Sequence, residues 1–215
     1  MRISHFLICL WPALLAQGLE PLPIVLPKPM FEGTPVDIKV PNLEEPLDQP
    51  RPPFLAPVGT ADVARGKLVV SSDMNPAIGR LDQITDGDKE GYDGSYVELK
   101  GGVQHITIDL RARHVIYAVL FWHYHQQPRV YFDVVAQVAD DPDFVTNAKT
   151  ILNNDNDNTS GLGIGKDKNY VETAEGKLVD ARGVEGRYVR LYSNGSNATP
   201  ANHYVEVEVY GKPPK

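Results

Sequence analysis

The stretch RYVRLYSNGSNATPANHYVEVEVYG, from Arg187 to Gly211, decides the fold class of this chain. It has the pattern of two β-strands joined by a polar loop, because apolar and polar residues alternate on both sides of the loop. In the second strand Glu206 and Glu208 fall on one face, and the other face carries Val205, Val207 and Val209. One apolar and one charged face are typical of an antiparallel sheet with one buried and one solvated side. The stretch therefore predicts antiparallel pairing.

Short β-rich runs separated by turn residues continue this pattern from residue 58 to the end of the chain. The length of 215 residues fits one domain of roughly 150 residues with additional segments, and no segment shows a convincing helical period. This combination predicts an all-β sandwich or jelly roll. Strands are predicted at Lys67–Ser72, Tyr96–Leu99, His105–Leu110, Val115–His123, Val130–Ala139, Tyr170–Thr173, Lys177–Asp180, Arg187–Tyr192 and Tyr204–Tyr210.

Residues 1–18 have the features of a secretory signal peptide. Arg2 supplies a positive charge, and the apolar run Phe6–Ala16 is too short to span a bilayer. Small residues at Ala16 and Gly18 predict cleavage after Gly18, with a buried N-terminal helix as the alternative. The single cysteine, Cys9, lies in this segment, so the exported chain is predicted to be thiol-free. Export without a disulfide favours a bacterial envelope or extracellular setting.

The charge balance of the chain is acidic. It has 28 Asp and Glu against 21 Lys and Arg, a net charge of −7, and its basic residues form no block. Such a surface argues against nucleic acid or an anionic membrane as the partner.

Residues 19–57 form a Pro-rich arm, since 11 of the 18 prolines lie between Pro21 and Pro57. Proline fixes φ and lacks an N–H donor, so the arm is predicted to be extended and without a core of its own. Two arrangements are open. The arm is a spacer that holds the domain away from a surface, or it lies along the domain as a strap.

Five motifs occur in order between Lys67 and Gly211: ITDGDKEG (84–91), HITIDL (105–110), VVAQVADDPDF (134–144), GRYVRLY (186–192) and VEVEVYG (205–211). Together they resemble the discoidin domain, also called the coagulation factor 5/8 type C domain. The resemblance implies an eight-stranded antiparallel jelly roll of the galactose-binding-like type over residues 58–215. It also implies a non-enzymatic module that binds ligands through loops at one end. Bacterial members are often carbohydrate-binding modules, and other members bind phospholipid or protein.

The resemblance further implies a structural calcium ion between the TDGD loop and the last strand. The ligands carried over are the side chains of Asp86 and Glu206 and the carbonyls of Gln83, Asp88 and Val205. The insertion Glu90–Gly94 obscures a remaining ligand, Asp93 or Ser95. From the residues alone, an aspartate-rich turn that caps itself through side-chain hydrogen bonds is the alternative.

The run NNDNDN, Asn153–Asn158, looks like a calcium loop but fails the helix-loop-helix template. With Asp155 as the first ligand, Ser160 stands where glycine is needed and Lys166 stands where the bidentate glutamate belongs. The segment Asn147–Lys168 is therefore predicted to be a surface loop rich in Gly and Asn. A second ion site or a ligand-contacting loop remains the alternative.

The run FWHYHQQPR, Phe121–Arg129, supplies residue types found in carbohydrate sites. Aromatic rings stack on the C–H faces of sugars, while His, Arg, Asn and acidic groups bind pairs of hydroxyls. A zinc site that combines His123 and His125 with His203 or Asp109 is one alternative, and ordinary packing is another. The candidate ligand-binding residues are Trp122, His123, Tyr124, His125, Arg129, Asn194 and His203.

No nucleophile motif of a known hydrolase class appears in the sequence, and the pair Glu206 and Glu208 is expected to be solvated or to bind calcium. The sequence therefore predicts an exported, non-catalytic module that recognises a glycan or polysaccharide. One alternative is a protein-interaction or structural module of the cell envelope. A metal-dependent hydrolase is the other.

Overall fold

The computed structural model describes residues 18–31, 33–35, 37–45 and 49–215, so the predicted signal peptide lies almost entirely outside the described residues. Within these ranges the chain is nearly all β, with one 3-10 helix at Leu81–Thr85. The strands are β1 (Leu19–Pro21), β2 (Leu55–Pro57), β3 (Ala61–Asp62), β4 (Leu68–Ser71), β5 (Val97–Leu99), β6 (Gln104–Trp122), β7 (Val135–Ala139), β8 (Lys149–Asn153), β9 (Lys177–Ser193), β10 (Asn202–Tyr204) and β11 (Glu206–Lys212).

Two long strands, β6 and β9, organise the sandwich. Each joins two predicted strands into one, and they pair antiparallel along most of their length. Their register shifts between Asp109 and His114, and Arg111 and Arg182 adopt φ values of 70° and 53°. Such irregularities bend a β-ribbon. The first half of β6 pairs with β4 and the second half with β11, so the bent ribbon contributes to two layers.

One hydrophobic core lies between these layers. Ile106 and Ile108 from the first half of β6 share it with Val119 and Phe121 from the second half. All the named strands pair antiparallel. The jelly-roll sandwich predicted from the alternating pattern is therefore confirmed. Further members of the core are Val97, Leu99, Val134, Ala136, Val138, Val189, Leu191, Tyr204, Val207 and Val209.

Two predicted strands and one predicted loop differ in the structure. The run Val130–Ala139 is a strand only from Val135, because residues 130–132 bond to the 194–197 loop and Asp133 has a φ of 51°. Tyr170–Thr173 is not a strand. Inside the predicted loop Asn147–Lys168, β8 pairs with β7.

The Pro-rich arm lies along the domain as a strap. Its ends pair with each other as β1 and β2, and Leu22 and Ala56 are buried against the outer face of the β6–β11 pair. We call this second apolar group the outer cluster. It consists of Leu22, Ala56, Ala118, Leu120, Trp122, Val205 and Tyr210, with Ile24, Phe54, Tyr96, Tyr117 and Leu178 packed against it.

The prediction that the last strand has a solvated face is wrong. Glu206 and Glu208 are 0% and 5% exposed, because Gly87 and Lys89 of the 86–90 loop contact them and Lys89 also bonds to the arm at Val25. The three valines Val205, Val207 and Val209 also do not share the one face that the alternation predicted. Val207 and Val209 enter the main core, but the chain interrupts the strand at Val205, which joins the outer cluster instead.

No helix in the described part of the chain has the length and apolar character needed to cross a membrane.

Candidate functional site

A group of aromatic and charged side chains gathers where β6 ends and β5 and β10 pair. We call it the loop-end cluster and define it as Tyr96, Glu98, Tyr124, Arg129 and His203. The rings of Tyr96 and Tyr124 meet edge to face with centroids 5.3 Å apart, and the Arg129 guanidinium lies 4.3 Å from the Tyr124 ring centroid. The His203 ring lies 5.6 Å from Tyr96 and 5.9 Å from Tyr124. Both tyrosines and Arg129 are half-buried and so remain partly accessible.

Hydrogen bonds on both ring nitrogens hold His203 in place. Nε2 donates to the Glu98 carboxylate at 2.9 Å, and Nδ1 accepts from the Tyr131 hydroxyl at 2.9 Å. Burial lowers the pKa of His203, although the Glu98 hydrogen bond opposes this shift. The imidazole is therefore neutral at pH 7, whereas the Glu98 side chain is 27% exposed and can still accept hydrogen bonds from outside. An aromatic edge, a guanidinium and a carboxylate thus converge on one surface.

Three of the predicted ligand-binding residues lie beneath that surface. Trp122 and His123 are fully buried and His125 is 1% exposed. The Trp122 indole donates to the Ala174 carbonyl at 2.9 Å, and His123 donates to Glu172 at 2.7 Å. In this conformation these side chains are out of reach of an external ligand, because they complete the packing below the loops.

The zinc alternative does not fit the positions of the histidines. His123 bonds to Glu172, whereas His125 donates through Nε2 to the Lys89 carbonyl at 2.7 Å and His203 bonds to Glu98. Asp109 lies far along β6 and pairs with Arg187. The imidazoles have separate partners and do not converge on one point.

Asn194, the remaining predicted ligand residue, belongs to a different group. Its amide donates to Asp133 at 2.8 Å. The carboxylates of Asp133, Asp155 and Asp157 offer ligand atoms within 4.8 Å of one another. Among residues 18–31, 33–35, 37–45 and 49–215, no other His, Cys, Asp and Glu side chains form such a group of three or more, and this one could hold a metal ion.

This acidic group is built largely by the loop around it. The Asp155 carboxylate accepts N–H bonds from Asp157, Thr159 and Ser160 at 3.3, 3.2 and 2.8 Å. Burial and the two neighbouring carboxylates raise the pKa of Asp133. The run NNDNDN gave Asp155 and Asp157. Asp133 could not be found from that run, because it precedes β7 and reaches the loop only in the folded chain.

Two of the predicted calcium residues, Asp86 and Glu206, lie close enough at the start of β11 for their charges to interact. Glu206 Oε2 accepts the Gly87 N–H at 3.0 Å, while Oε1 is buried and has no hydrogen-bond partner within the described part of the chain. Burial raises the pKa of Glu206 to about 9 against the effect of the Gly87 hydrogen bond, and the Asp86 carboxylate adds to the increase. A buried carboxylate oxygen without a donor, beside a second carboxylate, suits a hard cation.

The other predicted calcium ligands are compatible with this arrangement. The Asp88 side chain accepts from the Glu90 N–H at 3.0 Å and the Ser95 hydroxyl at 2.6 Å, so Asp88 has its carbonyl to offer. The Gln83 carbonyl accepts a long, 3.4 Å bond from the Asp86 N–H. Val205 is held beside Glu206 by its N–H bond to the Trp122 carbonyl at 2.9 Å.

No protein-family model matches this chain, and no curated protein matches it by sequence. Solved structures do match. A fucose-binding module of Streptococcus pneumoniae is 16% identical with a TM-score of 0.52, covering 72% of this chain and 98% of that one. A family 89 glycoside hydrolase of Clostridium perfringens, in complex with 2-acetamido-1,2-dideoxynojirmycin, is 16% identical with a TM-score of 0.51; the match covers 71% of this chain and 15% of the enzyme. At these identities the likeness shows the fold, a galactose-binding-like jelly roll.

Proposed function

We propose that this chain is an exported, non-catalytic module that binds a glycan or polysaccharide through the loop-end cluster. The observation that carries the proposal is the convergence of Tyr96, Tyr124, Arg129, Glu98 and His203 at one end of the sandwich. The fold shared with a fucose-binding module supports it.

The chemistry of the cluster suits a sugar. A tyrosine ring stacks on the C–H face of a pyranose, and a charged donor and a charged acceptor bind neighbouring hydroxyls. Arg129 supplies the donor and Glu98 the acceptor. Glu98 is oriented by His203, whose ring is fixed by the Tyr131 hydroxyl, so the acceptor is preorganised before the ligand arrives.

The burial of Glu206 and Glu208 supports a binding role without catalysis. Glycoside hydrolysis needs two carboxyl groups facing one accessible cleft. Glu206 and Glu208 are buried beneath the 86–90 loop, and Glu208 is bound by Lys89 at 2.5 Å and by the Tyr210 hydroxyl at 2.7 Å.

We further propose that a structural calcium ion binds Asp86 and Glu206. The carbonyls of Gln83, Asp88 and Val205 would complete much of its shell. The buried, unpartnered Oε1 of Glu206 supports this site. The ion would hold the 86–90 loop against β11 and stabilise the domain by mass action.

Export completes the proposal. Residues 1–18 would be removed as a signal peptide, leaving the arm, 19–57, and the binding domain, 58–215. N-terminal sequencing of the secreted protein tests this division, and a first residue other than Leu19 would revise it.

The binding proposal is tested with a glycan array, followed by calorimetry on the strongest hits. Tyr124→Ala is expected to weaken binding by about 10- to 100-fold, because one aromatic platform contributes roughly 1–3 kcal/mol. Tyr188→Ala is the matched control, since Tyr188 lies on β9 near the bend and away from the cluster. Absence of binding across neutral, acidic and amino polysaccharides, or equal losses in both variants, would contradict the proposal.

A further inference from the structure

The 86–90 loop touches two neighbouring carboxylates on the same face of β11. The Gly87 N–H donates to Glu206 at 3.0 Å. Two residues later, the Lys89 ammonium contacts Glu208 Oε1 at 2.5 Å. The spacing of the contacts matches the strand, in which residues i and i+2 lie on one face about 7 Å apart. The loop therefore contacts both Glu206, in the proposed cation site, and Glu208, the next residue on the same face of the strand.

Lys89 also holds the arm. Its ammonium donates to the carbonyl of Val25 at 2.7 Å, and it lies 5.2 Å from the centroid of the Trp122 ring. Its own carbonyl accepts from His125, so the main chain of Lys89 is fixed as well. One nearly buried lysine thus joins the arm, the last strand and the packing below the loop-end cluster.

The segment that Lys89 holds covers the outer cluster. Leu22 is buried on it, and Ile24 packs beside Leu22. The Leu22 N–H donates to the Phe54 carbonyl at 2.9 Å and the Ile24 N–H to the Leu22 carbonyl at 2.8 Å. Both bonds join residues of the arm, and burial of Leu22 and Ile24 against the outer cluster adds protection from solvent exchange while the arm is docked.

We propose that cation binding at Asp86 and Glu206 controls the docking of the arm through Lys89. The inference rests on the calcium site proposed above. Without a cation, the loop bonds to Glu206 through the Gly87 N–H while Glu206 Oε1 lacks a partner, so fewer contacts oppose movement of the loop away from β11 than when a cation binds both Asp86 and Glu206. Because Gly87 and Lys89 belong to the same short loop, that movement pulls the ammonium from Glu208 and Val25 and loosens the arm. A bound cation draws the loop back and restores both contacts.

The test measures hydrogen exchange of the Leu22 and Ile24 amides by NMR in the exported chain, residues 19–215, with calcium and with excess chelator. Calcium is expected to slow exchange at both amides by about 10-fold or more. Trp122 is the only tryptophan in residues 19–215, so its emission reports on the same docking. Loosening of the arm is expected to shift this emission to longer wavelength.

Three variants separate calcium binding from docking of the arm. Lys89→Met keeps the proposed calcium ligands, so it should still bind calcium, with an affinity lowered by no more than the factor by which calcium slows exchange in the wild type, while its arm exchanges fast with or without calcium. Glu206→Gln should lose calcium binding and with it the calcium effect on exchange. Lys149→Met, an exposed lysine on β8, is the control and should behave as wild type.

The outcomes are distinct. Calcium binding without any change in exchange at Leu22 and Ile24 overturns the coupling and leaves the cation site standing. A calcium effect that survives in Lys89→Met also overturns it, because the arm would then be held by another route. If calorimetry detects no calcium binding, the cation site and the coupling fall together, and glycan recognition by the loop-end cluster is unaffected.

Discussion

One outer face of the sandwich is open to solvent, and the other is covered by the Pro-rich arm. On the open face Leu68 and Val70 of β4 are 51% and 52% exposed. On the covered face Glu206 and Glu208 of β11 are buried although they are charged residues. In both strands successive side chains point to opposite faces. The comparison teaches that alternation assigns side chains to faces, while the covering of a face is decided by another part of the chain.

The ion pairs on the two faces also differ in their exposure to solvent. On the open face Arg187 binds Asp109 at 2.8 Å with its side chain 39% exposed, so water screens the pair. On the covered face Lys89 and Glu208 meet with side chains 12% and 7% exposed. Loss of one partner leaves a buried charge there, which is costly.

The largest expected difference between the faces comes from removing an aromatic side chain. Trp122→Ala is expected to destabilise the domain by about 3–5 kcal/mol, because it empties the centre of the outer cluster beneath the arm. Tyr192→Ala, on the open face, is expected to cost about 1 kcal/mol. Urea unfolding at fixed calcium concentration measures both. Equal losses would show that the arm does not bury Trp122 in solution.

The two ion pairs can be compared directly by removing the positively charged side chain of each, Lys89 on the covered face and Arg187 on the open face. Lys89→Met should cost about 3 kcal/mol, since Glu208 stays buried without its partner. Arg187→Met should cost less than about 1 kcal/mol, because Asp109 is partly solvated and Arg111 remains 3.7 Å away. The measurement is again urea unfolding. A small loss in Lys89→Met would mean that water reaches Glu208.

The pH dependence of stability gives a third contrast between the faces. Burial raises the pKa of Glu206 to about 9. Between its unfolded value near 4.5 and about 9, the folded state holds the proton more tightly than the unfolded state. Stability in chelator should therefore fall as pH rises from about 5 to about 8, by at most about 1.4 kcal/mol per pH unit. Glu206→Gln should remove this slope, and calcium should reduce it. A wild-type curve that stays flat in chelator would contradict the burial of Glu206.

The open face should show the opposite slope in a lower range. Burial and the charge of Arg190 lower the pKa of His105 to about 4. The unfolded state then binds the proton first, so stability from this group is lost as pH falls from about 6.5 to about 4. This change in stability should be the smallest of the four that we predict, because the His105 ring is partly solvated. Thermal unfolding of wild type and His105→Gln across this range measures it, and identical curves would contradict it.

Part of the candidate site could be found from the sequence. The run FWHYHQQPR supplied Tyr124 and Arg129, and the last strands supplied His203. Tyr96 and Glu98 were missed as site residues, although Tyr96 ends a loop that already carried a calcium prediction. Their role depends on the pairing of β5 with β10, which brings Glu98 opposite His203. Distant pairing of this kind leaves no local signal.

The sequence also did not indicate how deeply each side chain of the candidate site is buried. Trp122, His123 and His125 have the composition of a sugar site, but the chain turns them inward at the end of β6. Residue type indicates what a side chain can bind, and only its burial decides whether a ligand can reach it.

The sequence by itself determined the all-β class, the antiparallel pairing and the core positions of Val207 and Val209, because alternation with period two depends only on the order of residues along each strand. The tertiary structure alone decided the rest. It folded the Pro-rich arm over β11, buried Glu206 and Glu208, and brought Asp133 to Asp155. These outcomes depend on contacts between segments far apart in the chain, where the free energy of burial outweighs the local preference of a charged residue for water.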